Sequence, residues 1–497
     1  MQLREYASYD AVGLRDLIAS GAVAADEVEA AARQALEVAN ATLNGLALPL
    51  FRPALDHAPD GPFAGVPFLI KDSGPMAAGV PFFLGSRSIR RAVAARDTDL
   101  MARFRAAGLV TLGLTTVPEL GLSFATESVK HGPTCNPWDT EHSAGGSSGG
   151  AAALVAAGAA PVAHASDGAG SIRVPASCCG LVGLKPSRGR TPCGPDTGEA
   201  AFGLGYEFAL TRTVRDTAHL LDATEGPAVG DKYTAPPPLG RYADELTAGP
   251  GSLHVAVTTQ AWSGVIIDAE VTAVTQQTGR VLADMGHEVT EASPAVDWDA
   301  VLRVSMAQAI GIAAVLLMGM APRRPDPARL EALSRQILRE AEDFTALDLM
   351  AAFDAQNRVT RSVGAFFASR DLLVTPTLGQ LPAVHGTLRY DDPGQTLAGW
   401  QRSLFDYGPF TVVFNISGQP AISLPLGQSH SGLPIGVQLV APYGREDLLL
   451  RVAAQLEQAM PWKDRIPGCF VGRRCSLPRA SAAYRLGTAC IARPAGG

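Results

Sequence analysis

Three residues have the types and settings that acyl-transfer chemistry needs. Lys71 ends an apolar run, Ser147 sits in a glycine-serine loop, and Ser171 follows a second loop of small residues. Lysine is scarce: Lys71, Lys130, Lys185, Lys232 and Lys463 are the five lysines among 41 basic residues, and arginine supplies the rest. Arginine stays protonated and cannot serve as a base, whereas lysine can once burial or a neighbouring dipole disfavours its charged form. A lysine base combined with two serines outlines a hydrolase that needs no histidine.

The first loop, residues 145–150, reads Gly-Gly-Ser-Ser-Gly-Gly, a composition most often met in flexible surface turns. A phosphate cradle is discarded, because no Gly-Lys-Ser/Thr follows and the nearby charges, Glu141 and His142, lie upstream. Gly145, Ser147 and Gly149 also match the nucleophile elbow of an α/β-hydrolase, which would call on a downstream acid and a histidine such as His385 or His430. Against this, an elbow follows directly on an apolar strand, and here the polar run Thr140-Glu141-His142-Ser143 precedes the loop.

The second loop weighs more. Gly168, Ala169 and Gly170 ahead of Ser171 let successive backbone N–H groups turn toward one point, as in a main-chain oxyanion hole. The expected donors are the N–H groups of Gly168, Ala169, Gly170 and Ser171. Asp167 can hold the turn by accepting N–H groups of the loop. Arg173 reads as an ion-pair partner that fixes the loop in preference to a catalytic group, since amide hydrolysis calls for no second cation.

These loops need a scaffold, and the periodicity supplies one. Residues 10–43 carry the spacing of two amphipathic helices. A buried strand is expected over 63–70, ending at Lys71, then a helix over 100–107 and a strand over 109–114. A small-residue helix over 151–157 follows the Gly-Ser loop, and a strand over 161–165 leads into the second loop. Further strands are expected at 255–258, 372–375, 421–425 and 435–441, with helices near 268–285, 327–342, 345–368 and 446–459. This alternation predicts a three-layer α/β protein.

Composition excludes several other classes. A chain of 497 residues with 47% hydrophobic content buries a large core. No linker-like break interrupts it before about residue 460, so one domain is expected over 1–464, with a catalytic core near 60–225 and a variable, substrate-side segment near 296–345. A net charge of −7 offers no stripe for nucleic acid. The N-terminus carries early charges and no apolar stretch of signal length, which points to a cytoplasmic protein. The apolar run Ile310–Met320, flanked by Gln308 and by Arg323 and Arg324, falls short of the roughly 18 residues that span a bilayer. It reads as a buried helix or a pocket wall. Seven cysteines, Cys178 and Cys179 adjacent among them, show no metal-ligand spacing, so neither a metal nor a disulfide is expected. Beyond Asp464, six arginines and no acid occur amid Gly, Pro, Ser and Ala, as in a poorly ordered tail over 465–497.

The motifs together resemble the amidase signature hydrolases. The resemblance is carried by Gly65-Val66-Pro67 with Ile70-Lys71-Asp72, by the Gly-Ser loop, and by Gly170-Ser171-Ile172-Arg173-Val174-Pro175-Ala176. It continues through Gly180-Leu181-Val182-Gly183-Leu184-Lys185-Pro186, Leu210-Thr211-Arg212-Thr213-Val214 and Phe414-Asn415-Ile416-Ser417-Gly418-Gln419-Pro420-Ala421, covering roughly residues 5–462. It implies a large mixed sheet with helices on both faces and a Ser-cisSer-Lys triad. The spacing of 76 residues from Lys71 to Ser147 and 24 from Ser147 to Ser171 makes Ser147 the bridging serine, and Ser148 its neighbour in the loop. Ser171 is then the nucleophile, and no cofactor is required.

Within the family, Ser177-Cys178-Cys179-Gly180, Lys185-Pro186-Ser187-Arg188-Gly189-Arg190 and Tyr443-Gly444-Arg445-Glu446-Asp447-Leu448-Leu449 are similar to the 6-aminohexanoate cyclic dimer hydrolase subgroup. Two departures stand out. The usual Thr-Asp-Thr-Gly-Gly-Ser is here Ser166-Asp167-Gly168-Ala169-Gly170-Ser171, and the frequent Gly-Lys-Thr-Asn is Gly113-Leu114-Thr115-Thr116. The first adds a methyl at Ala169 near the acyl pocket and keeps the backbone donors.

The expected partner is a small-molecule amide, apolar or of aminohexanoate type, linear or cyclic, with neither nucleic acid nor membrane involved; a homodimer is the assembly entertained. Aryl acylamides, carbamates and esters remain open as substrates. The second reading is the glutaminase-type subunit of a tRNA-dependent amidotransferase.

Overall fold

The computed structural model describes residues 1–74, 76–90, 92–199, 201–319 and 325–473. Twelve strands occur among them. They are β1 (Pro67–Lys71), β2 (Val110–Thr115), β3 (Glu127–Ser128), β4 (Gly132–Pro133), β5 (Val162–Asp167), β6 (Val182–Lys185), β7 (Tyr206–Thr211), β8 (His254–Val257), β9 (Glu288–Glu291), β10 (Leu372–Pro376), β11 (Ala421–Gln428) and β12 (Pro434–Val440). Ten of these form one mixed sheet in the order β2-β1-β5-β7-β6-β11-β12-β10-β8-β9, and β3 pairs with β4 alone. The run β2-β1-β5 is parallel, the centre from β5 to β10 is antiparallel, and β10-β8-β9 is parallel again. Helices cover both faces, which gives the expected three layers.

The central strands are apolar on both faces because both are covered. Every residue of β1, β2, β10 and β12 is buried. The Ala-rich helix Gly149–Ala156 is buried along its whole length. Small side chains let its axis lie close to its neighbours: a Cβ at Gly150 would stand 2.5 Å from both the Gly45 carbonyl oxygen and the Thr116 nitrogen. The glycines of this loop therefore serve close packing, and the loop is no flexible linker.

The N-terminal periodicity resolves into helices Ala11–Ala19 and Ala25–Leu43, the first capped by the Asp10 carboxylate on the Gly13 N–H. The expected helix over 327–342 is split. Asp326 caps a single tight turn at Pro327–Arg329, Leu330 is extended, and the helix proper runs Ala332–Asp343. The apolar run near residue 310 lies in the helix Trp298–Gly319, with Ile310 and Ala313 in the core; its flanking Arg323 and Arg324 lie outside the described residues. Among the described residues no helix is long and apolar enough to cross a membrane.

Part of the segment expected as a tail is packed. The Cys469 N–H donates to the Pro137 carbonyl and the Val471 N–H to the Ala157 carbonyl, and both side chains are buried. Residues 474–497 lie outside the described residues. The expectation of no disulfide fails at Cys469, which is disulfide-bonded. Cys135, Cys178, Cys179 and Cys193 are free thiols.

Candidate active site

Three chain segments converge at the C-terminal ends of the parallel strands β1 and β5, where α/β sheets commonly bind ligands. Lys71 is the last residue of β1, and Ser166 and Asp167 are the last two of β5. After β5 comes the loop 168–172, which leads into the helix Arg173–Cys179. The third segment is the Gly-Ser loop, which enters the helix Gly149–Ala156 and contains a cis peptide between Gly146 and Ser147. Gly146 is pressed against the chain at 123–125, where a Cβ would meet the Ser123 carbonyl oxygen at 2.6 Å.

The Lys71 Nζ donates to Ser147 Oγ at 2.8 Å and to Ser166 Oγ at 2.8 Å, with the Ser166 carbonyl at 3.4 Å. Lys71 is 2% exposed. Burial lowers its pKa from the ordinary 10.5 to about 8, while the carboxylates of Glu207, Asp167 and Asp72 act the other way. A neutral amine is thereby accessible near neutral pH. Of the five lysines, Lys71 is the one that lines the cavity described below. Lys185 is fully buried at the end of β6, with its Nζ 3.7 Å from the centre of the Tyr206 ring.

Ser147 and Ser171 both line the cavity and are 3% and 6% exposed. Lys71 and Ser147 are joined directly, but no hydrogen bond between the Ser147 and Ser171 hydroxyls occurs among the described residues. Contacts of this kind commonly tighten only when substrate is bound. Ser148 does not line the cavity; its hydroxyl donates at 3.3 Å to the Ser166 carbonyl that the Lys71 amine also reaches.

In the second loop the carbonyls are tied outward. Gly168 O accepts from Gln308 Nε2 at 2.7 Å, Ala169 O from Thr411 Oγ1 at 2.6 Å, and Gly170 O from the Val174 N–H at 2.7 Å. The N–H groups behave differently: those of Gly168, Ala169, Gly170 and Ser171 find no acceptor among the described residues, whereas those of Ile172 and Arg173 donate to Asp167. Gly170 has φ of +145°, and a Cβ there would stand 2.5 Å from Thr411 Oγ1, so both conformation and space call for glycine.

A fully buried ion pair braces this loop. Arg173 donates through Nε to one Asp167 oxygen at 3.0 Å and through a terminal nitrogen to the other at 2.9 Å. Its remaining donors reach the Thr411 carbonyl, Gln438 Oε1 and Asn415 Oδ1, and Asn415 Nδ2 returns to Asp167. Burial would raise the Asp167 carboxyl, but the Arg173 charge and these hydrogen bonds hold it at about 2. Asp167 is thus joined to the Arg173 guanidinium and to the N–H groups of Ile172 and Arg173.

The cavity encloses about 480 Å³ and is walled mainly by apolar side chains, among them Leu122, Phe124, Ile312, Trp400, Leu404 and Phe405. Ser305, Gln308, Ala309 and Ile312 line it from one stripe of the helix Trp298–Gly319. Neither elbow histidine takes part. His385 bonds Glu127, the exposed His430 bonds Glu270, and neither lines the cavity.

Sequence reasoning missed Ser166, Gln308, Thr411, Asn415 and the pair His164–Glu207. Ser166 was legible as the second partner of Lys71, because it lies one residue before the end of the strand parallel to β1. The others come from segments 43 to 248 residues away from the groups they touch.

A family model for amidases matches residues 17–450. The chain is 39% identical over 482 residues to the 6-aminohexanoate-cyclic-dimer hydrolase of Paenarthrobacter ureafaciens, covering 92% of this chain and 96% of that protein. The solved structure of 6-aminohexanoate cyclic dimer hydrolase complexed with substrate superposes with a TM-score of 0.86 at 37% identity, over 93% of this chain and 99% of the other. A bacterial aryl acylamidase superposes with a TM-score of 0.83 at 27% identity, over 92% and 97%. With the sheet, the two loops and the buried lysine all in place, the chain belongs to the amidase signature family.

Proposed function

We propose that this protein is a serine amidohydrolase that cleaves a small apolar or aminohexanoate-type amide, linear or cyclic, through an acyl-enzyme on Ser171. The observation that carries the reading is the 2.8 Å contact of Lys71 with Ser147 at the polar end of a largely apolar cavity that also takes in Ser171. Neutral Lys71 accepts the Ser147 proton, and Ser147 takes the Ser171 proton as Ser171 Oγ attacks the amide carbonyl. The N–H groups of Gly168, Ala169, Gly170 and Ser171 receive the developing oxyanion, where one such donor is commonly worth about 10²–10³ in rate. The proton then passes to the departing nitrogen as the C–N bond breaks. Water enters, gives its proton to the same relay, and releases the acid.

The lining supports this substrate class. Lys71 is the cavity's single basic side chain among the described residues, while Asp72, Asp167, Asp196 and Glu207 line it as well. Among the described residues a glutamine α-carboxylate would find no cation there apart from the base itself, which disfavours the amidotransferase reading. The aromatic walls Phe124, Trp400 and Phe405 favour aryl acylamides as the second reading.

The test is hydrolysis of a matched panel comprising a p-nitroanilide, a glutamine amide, an aryl carbamate, a 6-aminohexanoate oligomer and a p-nitrophenyl ester, with Ser171→Ala as blank. Activity on the anilide or oligomer that vanishes in the variant is expected. Turnover confined to glutamine would overturn the reading.

A further inference from the structure

His164 and Glu207 have no part in the relay above, yet they are built into its floor. His164 lies two residues before Ser166 on β5, and Ser166 is paired directly with Glu207 on β7, so all three side chains project from the same sheet face. The Lys71 backbone N–H donates to His164 Nδ1 at 3.3 Å. With Nδ1 accepting, the ring hydrogen sits on Nε2 and points at the Glu207 carboxylate, with which Nε2 makes a short contact. One end of the pair thus holds the Lys71 main chain. The other end places a carboxylate on the wall of the cavity that holds the Lys71 amine.

The charged groups around Lys71 differ in how far they are already spent. On β5, Asp167 is paired with the Arg173 guanidinium through two hydrogen bonds. Asp72, next along the chain, is tied to the N–H groups of Phe83 and Gly85; burial pushes its carboxyl up to about 6, with the Lys130 charge acting the other way. Asp196 lines the cavity but pairs with Arg96. Among the described residues the Glu207 carboxylate is bonded to no cationic arginine or lysine: its contact is with the His164 imidazole, and its charge acts on the Lys71 amine and on the Cys193 thiol, which it helps to push up. Among the charges opposing the burial of Lys71, that of Glu207 is the largest.

We propose that the His164–Glu207 pair is a positioning unit for Lys71, fixing its backbone through the imidazole and setting, through the carboxylate, how tightly the amine holds its proton. The inference rests on the reading of Lys71 as base. Without Glu207 the amine would release its proton more readily but would be a weaker acceptor in the relay. The carboxylate therefore trades the fraction of active base against its strength, and ties the working pH range of the enzyme to a residue that touches neither serine.

The experiment measures the pH dependence of Ser171 sulfonylation by phenylmethanesulfonyl fluoride, followed by intact mass so that no substrate turnover is needed. Wild type is compared with Glu207→Gln, which keeps the shape and a hydrogen-bond acceptor for His164, and with Glu207→Asp, which keeps the charge one methylene further back. The acid limb is expected to move down by about 1 pH unit in Glu207→Gln, the low end of the effect of a nearby opposite charge, with Glu207→Asp between the two. An unmoved limb in Glu207→Gln would overturn the proposal, as would identical behaviour of the Asp and Gln variants. A rise in KM for 6-aminohexanoyl p-nitroanilide but not for hexanoyl p-nitroanilide, with the limb in place, would overturn it in favour of a substrate-ammonium site. Failure of Lys71 as base shows separately, as a wild-type profile with no acid limb or one that survives in Lys71→Arg.

Discussion

Replacing Arg173 by leucine removes the brace under the proposed oxyanion loop and leaves Asp167 buried without its partner. The wild-type guanidinium makes its hydrogen bonds to Asp167, Thr411, Gln438 and Asn415 with no exposed surface on either member of the ion pair. Stripping one partner from such a pair costs about 3–5 kcal/mol, because the remaining charge keeps its desolvation penalty and loses the attraction that offset it. The pH dependence follows from the sign of the shift. In wild type the Asp167 carboxyl is held at about 2, below its ordinary 3.8, so its stabilisation is present above the ordinary value and is lost only as pH falls through about 2. In Arg173→Leu the burial that raises the carboxyl is no longer opposed by the guanidinium, so the deficit grows as pH rises above the ordinary carboxylate range. Urea unfolding of both proteins at about pH 5 and about pH 8 should therefore give a larger loss at the higher pH. A loss under about 1 kcal/mol, or one equal at both pH values, would refute the argument that this pair carries the loop.

Three further outcomes follow from the same geometry. For a neutral substrate, kcat/KM should fall tenfold per pH unit below an acid limb near pH 8, set by Lys71, and Lys71→Arg should lose about 10²–10⁴ in rate, as measured by steady-state kinetics. Gly170→Ala forces a side chain onto φ of +145° and against Thr411 Oγ1; a cost of about 1–3 kcal/mol in unfolding and a lower kcat are expected, and wild-type values for both would contradict the reading. Gln308→Leu removes the donor to Gly168 O, and a fall in kcat of about tenfold with little change in unfolding midpoint is expected from the loosened loop.

Much of this was legible where chemistry and local pattern coincide. The apolar run ending in a lysine became β1 with Lys71 as its last residue, and the small-residue helix after the Gly-Ser loop begins two residues beyond Ser147. The strands β6 and β7 were not read as strands. β6 is four residues long with a glycine inside, and β7 places Glu207 in an otherwise apolar run, so neither shows clean periodicity. The helix Arg173–Cys179 carries a proline in its first turn and spans seven residues, too few for a 3.6-residue period to show. Gln308 and Thr411 reach the second loop from segments 140 and 242 residues downstream, which only the fold brings near. The Gly-Ser loop misled in a different way: its composition suggests flexibility, whereas Gly146 and Gly150 are glycine because backbone atoms stand where a Cβ would lie.

The central claim is that Ser171, served by Ser147 and Lys71, carries the acyl group. The most direct test is rapid acid quench of the enzyme during turnover of p-nitrophenyl hexanoate, followed by intact mass and peptide mapping. A hexanoyl adduct on the peptide containing Ser171 is predicted, abolished in Ser171→Ala and accumulating far more slowly in Ser147→Ala. An adduct on another residue, or one that persists in Ser171→Ala, would contradict the account.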